Sequence, residues 1–407
     1  SFVFAEKINK QMVEEQTLKN NPSVMLAKLE LDNVKQEYKS SFSDFFPKIS
    51  FTGGTGQDKS ERLFTRNYSY GLKGSLSLFS GFSAYHDVKS KATKVKCQEA
   101  HYRRAVADAI YKSNMQYIHL MWAYERVELL KKIRKTQIEN KDLVELKYHS
   151  GNNVDIGSLK RGEVDVSIVE CDLRSAQRYV ETASAALLVA IGRDGDATIL
   201  ETDERIVPSN KVIQKPDYNN LIATIPEFLI ARYGVETCKF QKAATNSQWL
   251  PSVDVTGNIS KVGDKWAPKH DHWDAGISLS YPIFTGGKRY YDSKIASNKL
   301  QEASLNLTNT TNSLKAQAIK YYNELIDAHE IIEVRSNCLS VSKLQSEIAT
   351  RKYVSGLSNY YDWYAMESEY IRTQNEWLES KKNAALATAA WHNFIGDDFV
   401  KTKEEQK

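Results

Sequence analysis

The sequence predicts a mainly α-helical chain with a membrane β-barrel component, built as an internal duplication. Three observations predict it. Only 8 Pro and 19 Gly occur in 407 residues, and they are clustered. Neither occurs from Phe82 to Ser150 or from Lys288 to Ser355, runs of 69 and 68 residues. Without breakers each run can stay helical, reaching on the order of 100 Å at about 1.5 Å per residue. The second observation is a repeat of landmarks: Gly71 and Gly276, Phe79 and Phe284, and Gly81 and Gly286 each lie 205 residues apart. The third is a pair of hairpins whose residues alternate apolar and polar.

The repeat sets the expected organisation. An N-terminal segment covers 1–21, the first repeat 22–192, a linker 193–225, the second repeat 226–396 and a tail 397–407. Pro22 and Pro47 match Pro226 and Pro251, each pair 25 apart. Tyr148-x-Ser150-Gly151 matches Tyr353-x-Ser355-Gly356, and Leu187 to Gly192 lies opposite Trp391 to Gly396. Such an ordered series is the signature of a duplication. Each repeat reads as a helix that opens at Pro22 or Pro226 (Pro suits a first helical turn), a hairpin, a long helix and a returning helix.

The hairpins are expected at about 48–80 and 252–285. Tyr68, Tyr70, Leu72, Leu76 and Leu78 share one face, against Ser69, Gly71, Lys73, Ser75 and Ser77. Trp273, Ala275, Ile277, Leu279, Tyr281 and Ile283 alternate with Asp274, Gly276, Ser278 and Ser280. Val253, Val255 and Ile259 continue the pattern, and Ile49 and Phe51 begin a weaker strand. Pro282 is a misfit inside the last strand. The long helices are expected at about 83–150 and 288–355, returning at about 162–191 and 358–395. Leu314, Ala318, Tyr321, Leu325, Ala328, Ile332 and Leu339 step by four and three, with Arg335 interrupting. Val106, Ile110, Tyr117, Leu120, Tyr124 and Val127 do the same, which is coiled-coil spacing. The link from Gly192 to Pro226 reads as irregular.

Composition narrows the function. Lys+Arg 55 against Asp+Glu 51 gives a net charge of +4, without the concentrated basic face of a nucleic-acid binder. No stretch approaches the roughly 18–20 apolar residues of a membrane-spanning helix, but short half-apolar strands remain compatible with a barrel. Aromatics gather near strand ends at Phe79, Phe284, Tyr281, Trp266 and Trp273. Four strands cannot close a water-filled barrel, whereas three copies supply twelve, so a cyclic trimer follows. The helices are then expected to form an α-barrel wall.

Other signals carry less. Gly53 to Ser60 is glycine-rich but lacks the ending of a phosphate loop. His270, Asp271, His272 and Asp274 can be read as a metal site or as a hydrated loop. Cys97, Cys171, Cys238 and Cys338 form no Cys-x-x-Cys pair, and no pairing follows from their spacing. Ser1 to Ala5 can be the end of a secretory signal. No enzyme-like constellation is found. A soluble periplasmic coiled-coil adaptor or scaffold is the alternative, though it has no need of four alternating strands.

Asn21-Pro22, Leu250-Pro251 or Phe46-Pro47 before a strand, Leu78-Phe79-Ser80-Gly81 or Ile283-Phe284-Thr285-Gly286-Gly287 closing a hairpin, and Tyr-x-Ser-Gly at a helix turn together resemble the TolC family of outer-membrane efflux proteins. The resemblance spans about Glu6 to Gly396. It implies a homotrimer, a twelve-stranded barrel in the outer-membrane lipid of a Gram-negative bacterium, an α-helical tunnel through the periplasm, and 193–225 as its equatorial segment. It implies a periplasmic adaptor and an inner-membrane pump of RND, ABC or MFS type as partners, with no cofactor and no reaction catalysed. The Tyr-x-x-Gly turns, at Tyr148, Ser150, Gly151 and at Tyr353, Ser355, Gly356, are implied to meet the adaptor and to form the closed entrance. The family's pore acid, six residues after the second Gly, falls on Asp362. A second acid is replaced by Ala365, and a basic lock residue by Ser358. Tyr353 matches a family tyrosine of that network, and Asp155 is the acid nearest the first turn. The plain structural reading of Asp362 is an acid in a helix's first turn.

Overall fold

The computed structural model describes residues 5–60, 63–151, 154–195, 198–207 and 215–396. Most of the possible signal remnant and the polar tail lie outside the described residues, as does Pro208 of the linker. The first half contains β1 (Ala5–Lys7), α1 (Lys10–Asn20), α2 (Pro22–Ser40), β2 (Lys48–Ser60), β3 (Leu63–Ser80), α3 (Ser83–His149) and α4 (Ile156–Ala190). The second contains β4 (Ile199–Glu201), α5 (Tyr218–Thr224), α6 (Pro226–Asn246), β5 (Ser252–Gly263), β6 (His270–Ser280), α7 (Lys288–Val354) and α8 (Tyr360–Ile395). The two long helices are unbroken and 67 residues each. The chain divides into two compact units: 1–27, 103–225 and 314–407, and 28–102 with 226–313.

The first unit is helical. Val13, Tyr117, Leu120, Leu187, Leu188, Ile191 and Leu200 are buried together at its centre. The heptad positions of α7 face inward as spaced: Leu314, Ala318 and Leu325 are buried, and Ser342, Ser346 and Tyr353 continue the seam. The seam therefore changes from apolar to polar toward the turn. Four helices order side by side through named contacts. Arg134 of α3 bonds Glu170 of α4 at 2.7 Å. Lys381 of α8 bonds Glu125 of α3 at 2.5 Å, with both side chains nearly buried. Ser342 of α7 meets Thr373 of α8 at 2.6 Å.

Several features differ from the sequence expectation. The linker is not wholly irregular: β4 pairs in parallel with β1, and α5 follows. Tyr124 donates to Leu200 O at 2.8 Å, so this three-residue ladder is tied to the core. The N-terminal segment holds α1, capped by the Asn9 side chain on Met12 N–H. The first returning helix starts at Ile156 rather than near residue 162, because Asp155 is its N-cap. Gly162 sits inside it where a Cβ would press on Lys141, so the glycine serves close helix packing. The last strand stops at Ser280, before Pro282, which resolves the misfit. Gly192, at φ +82°, ends α4 against the backbone of Asn20 and Asn21, where a side chain has no room.

The second unit carries an antiparallel sheet in the order β2-β3-β5-β6. β2 runs 13 residues, longer than its sequence pattern indicates. Phe51, Leu72, Ile259 and Trp273 are register neighbours across all four strands. The opposite face places Ser50, Lys73, Asn258 and Asp274 in a row. The apolar row is exposed: 71% for Phe51, 71% for Ile259 and 76% for Trp273. In the same unit, Lys91 and Lys94 of α3 both bond Glu37 of α2.

Candidate functional site

The two turns that join α3 to α4 and α7 to α8 gather nearly every residue singled out above. Each long helix ends in a left-handed glycine, Gly151 at φ +73° and Gly356 at φ +77°. The second turn is a Schellman motif: Gly356 N–H bonds Tyr353 O at 3.1 Å and Leu357 N–H bonds Lys352 O at 2.8 Å. Ser150 and Ser355 each donate to the carbonyl four residues back. Ser358 lies in the turn, its hydroxyl 3.5 Å from Asn359 O.

The returning helices start on capping side chains. Asn359 accepts from Asp362 N–H at 2.8 Å, and its amide donates back to the Asp362 carboxylate at 2.8 Å. Asp362 is thus an exposed N-terminal-turn acid held in a reciprocal cap. Asp155 accepts from Ser158 N–H at 2.6 Å. Its second oxygen accepts from the Tyr361 hydroxyl at 3.2 Å, which joins the two turns. The Ser158 amide, then the Tyr361 hydroxyl, hold the Asp155 carboxyl below the usual carboxylate range.

Behind the turns lies a separate aromatic cluster of Val144, Tyr353, Tyr360 and Trp363. Trp363 is 1% exposed and stacks on Tyr353 with centroids 4.6 Å apart. Its indole N–H donates to Thr350 Oγ1 at 3.0 Å. Burial pushes the Tyr353 hydroxyl pKa up, and among the described residues that oxygen has no hydrogen-bond partner. Lys147 of α3 donates to Val354 O at 3.2 Å, with its ammonium 5.0 Å from the Tyr353 ring centre. Arg161 of α4 donates to the Tyr364 hydroxyl at 2.9 Å. Further along, buried Glu367 accepts from Ser346, Thr350 and Asn140 at 2.5, 3.0 and 3.3 Å.

The structure therefore brings Asp155, Tyr353, Ser358 and Asp362 to one end of the helical unit. Sequence reasoning missed Tyr361, Lys147, Arg161 and Glu367. Glu367 alone had a signal, as an acid at an inward position beside Trp363. Tyr148 is half-buried, edge-on to His149. Exposed apolar side chains stand on the turns beside exposed polar ones: Leu357 is 79% exposed, and Leu146, Ile156 and Tyr361 are exposed too, among Ser150, Ser355 and Asn359.

The hairpin-end residues lie in the other unit. Phe79 packs edge-on to Phe82, Gly81 and Gly286 take positive φ, and Phe284 is exposed. His270, His272 and Asp274 fall on one face of β6, while Asp271 pairs with Lys261 at 3.0 Å on the other. No group of three or more His, Cys, Asp or Glu placed to hold one metal ion occurs among the described residues. The four cysteines are unbonded in the chain. No described helix is long and apolar enough to cross a membrane.

Residues 13–193 and 218–396 match the profile of a family described as outer membrane efflux protein. The probable outer membrane lipoprotein SilC of Salmonella typhimurium is 21% identical over 89% of this chain and 80% of its own length. The cation efflux system protein CusC of Escherichia coli (strain K12) is 20% identical over 92% of this chain and 83% of its own. The alkaline protease secretion protein AprF of Pseudomonas aeruginosa is 20% identical over 93% and 82%. A crystal structure of CusC superposes with a TM-score of 0.85 at 16% identity, covering 95% of this chain and 91% of that one.

Proposed function

This chain belongs to the outer membrane efflux protein family, and on that premise we propose how it forms a duct. Three copies close a ring. The observation that carries this is the sheet: β2 and β6 are its edges, and its apolar face is exposed. Because the order alternates direction, the β6 of one copy can pair antiparallel with the β2 of the next. Three sheets then give twelve strands, with Phe51, Leu72, Ile259 and Trp273 toward lipid and Lys73, Asn258 and Asp274 toward water. The soluble-adaptor alternative is set aside by the family match.

The helix turns are the periplasmic entrance. Tyr361–Asp155 ties α8 to the start of α4, and the aromatic cluster holds the end of α7 beside α8. Three Asp362 carboxylates at the mouth favour cations in the constriction. The exposed apolar side chains on the turns, Leu357 and Leu146 among them, suit the tips of a periplasmic adaptor, which couples the duct to an inner-membrane pump. The relatives are named for a cation efflux system and for alkaline protease secretion.

Planar-bilayer recording tests the reading, with the particle mass measured in detergent. Small, stable, cation-favouring steps from a three-copy particle are expected. Failure of a three-copy particle to insert overturns it.

A further inference from the structure

Two of the four cysteines occupy matching places on the two outer helices of the wall. We propose that Cys338 of one copy and Cys171 of the next form an inter-subunit disulfide, stapling the ring covalently; this rests on the three-copy reading above. In the helical unit the order α4-α3-α8-α7 leaves α4 and α7 as the flanks. In a ring, α7 of one copy meets α4 of its neighbour.

The internal duplication shows how they meet. The seam between α3 and α8 is already present within one chain, and its groove, which α4 also borders through Ile168 and Asp172, is lined by Ile133 of α3 and Ile371, Asn375 and Leu378 of α8. Long helices correspond at 205 residues, so Cys338 is the counterpart of Ile133. Returning helices correspond at 204, as their Asp155 and Asn359 caps do, so Cys171 is the counterpart of Asn375. Ile371 and Leu378 likewise map onto Ser167 and Arg174. The intramolecular groove is thus a template for the seam between copies, and it places the two thiols on opposite walls.

Burial agrees. Ser167, Cys171 and Arg174 on α4, and Cys338 on α7, are all exposed in the single chain. Exposed apolar residues lie along the same helices: Val334, four residues before Cys338, at 59%, and Val164, seven before Cys171, at 50%. Height agrees too. Cys338 lies 18 residues before Gly356, and Cys171 lies 20 after Gly151. The helices run antiparallel across the seam, so the thiols meet at one level. Packed helices at 8–10 Å bring facing Cα atoms toward the 4.4–6.8 Å that a disulfide spans. Cys97 and Cys238 are half-buried in the other unit and take no part.

The oxidant is a disulfide-bearing thiol oxidase or small-molecule disulfide, in keeping with an oxidising periplasm. The Cys338 thiolate attacks the oxidant's S–S bond, forming a mixed disulfide and expelling one thiolate. The Cys171 thiolate then attacks the Cys338 sulfur, expelling the second. Two electrons pass to the oxidant, whose two released sulfurs take up the protons lost from the cysteines.

The test treats full-length protein in detergent with oxidised glutathione and resolves it on a denaturing, non-reducing gel. Native mass spectrometry counts copies independently. The expected result is a three-chain band that collapses with dithiothreitol. Cys171→Ser and Cys338→Ser should each run as single chains. Co-expressed, the two variants should give cross-linked pairs and nothing larger, because each mixed ring then holds one complementary seam. A three-copy particle whose exposed thiols remain alkylatable overturns the staple and leaves the duct reading intact. Cross-linking of either single variant also overturns it, since that requires a pair other than Cys171 with Cys338. A one-copy particle overturns both.

Discussion

Removing the indole of Trp363 should loosen the entrance without loosening the rest of the helical unit. Trp363 is 1% exposed and belongs to a cluster of Val144, Tyr353 and Tyr360, separate from the main core. Trp363→Ala deletes the stack on Tyr353 and the donor to Thr350, and leaves a cavity. Buried Trp→Ala changes cost about 3–5 kcal/mol. Because the cluster is local, that cost falls on opening of the turn region rather than on global unfolding. At about 1.4 kcal/mol per tenfold change in an equilibrium, amide exchange around 350–366 should speed up on the order of 10²- to 10³-fold. Peptides around 117–130, within the main core, should be unchanged. Trp363→Phe keeps a ring on Tyr353 and should fall between. Hydrogen exchange read by mass spectrometry checks this. Equal acceleration in both regions, or none at the turns, refutes the idea that the aromatic cluster is an independent latch.

The other predictions concern the same end of the molecule. Tyr361→Phe removes the hydroxyl that reaches Asp155 and should raise the open fraction in single-channel records; an unchanged open fraction removes the link from the gate. The lowered Asp155 pKa makes its contribution present above the ordinary carboxylate range and lost as pH falls through the lowered value. Currents should therefore be steady from neutral pH down to about pH 4 and rise below it, and Asp155→Asn, which still caps α4, should abolish that rise. Asp362→Asn should keep the reciprocal cap on Asn359 yet reduce the cation-to-anion permeability ratio; an unchanged reversal potential in a salt gradient denies Asp362 the pore.

The periodic parts of this fold were legible because the chain repeats and because long helices leave long gaps between breakers. Heptad steps such as Leu314, Ala318 and Leu325 report burial directly, since a 67-residue helix keeps one face inward over many turns. β1 and β4 were not legible: three residues give no alternation to count, and their pairing joins positions 194 apart. Gly162 misplaced a helix start because a glycine needed for close packing looks, in sequence, like one needed for a turn. Asp155 and Asp362 could be located by their distance from Gly151 and Gly356, but Tyr361 could not be paired with Asp155. That contact spans 206 residues and follows from how two helix ends meet.

The edges of the sheet set an order of events. A lone copy's four strands have a core on neither side, and the outer backbone groups of β2 and β6 stand ready to pair with any strand they meet. The helical unit has its core within one chain, with Val13, Leu120 and Leu187 at 0% exposure, so that burial needs no neighbour. In the proposed ring the sheet gains its inside only from neighbours, so its completion should depend on how often copies encounter one another. Until then those two edges stay open, and dilution should stall maturation after the helices have formed.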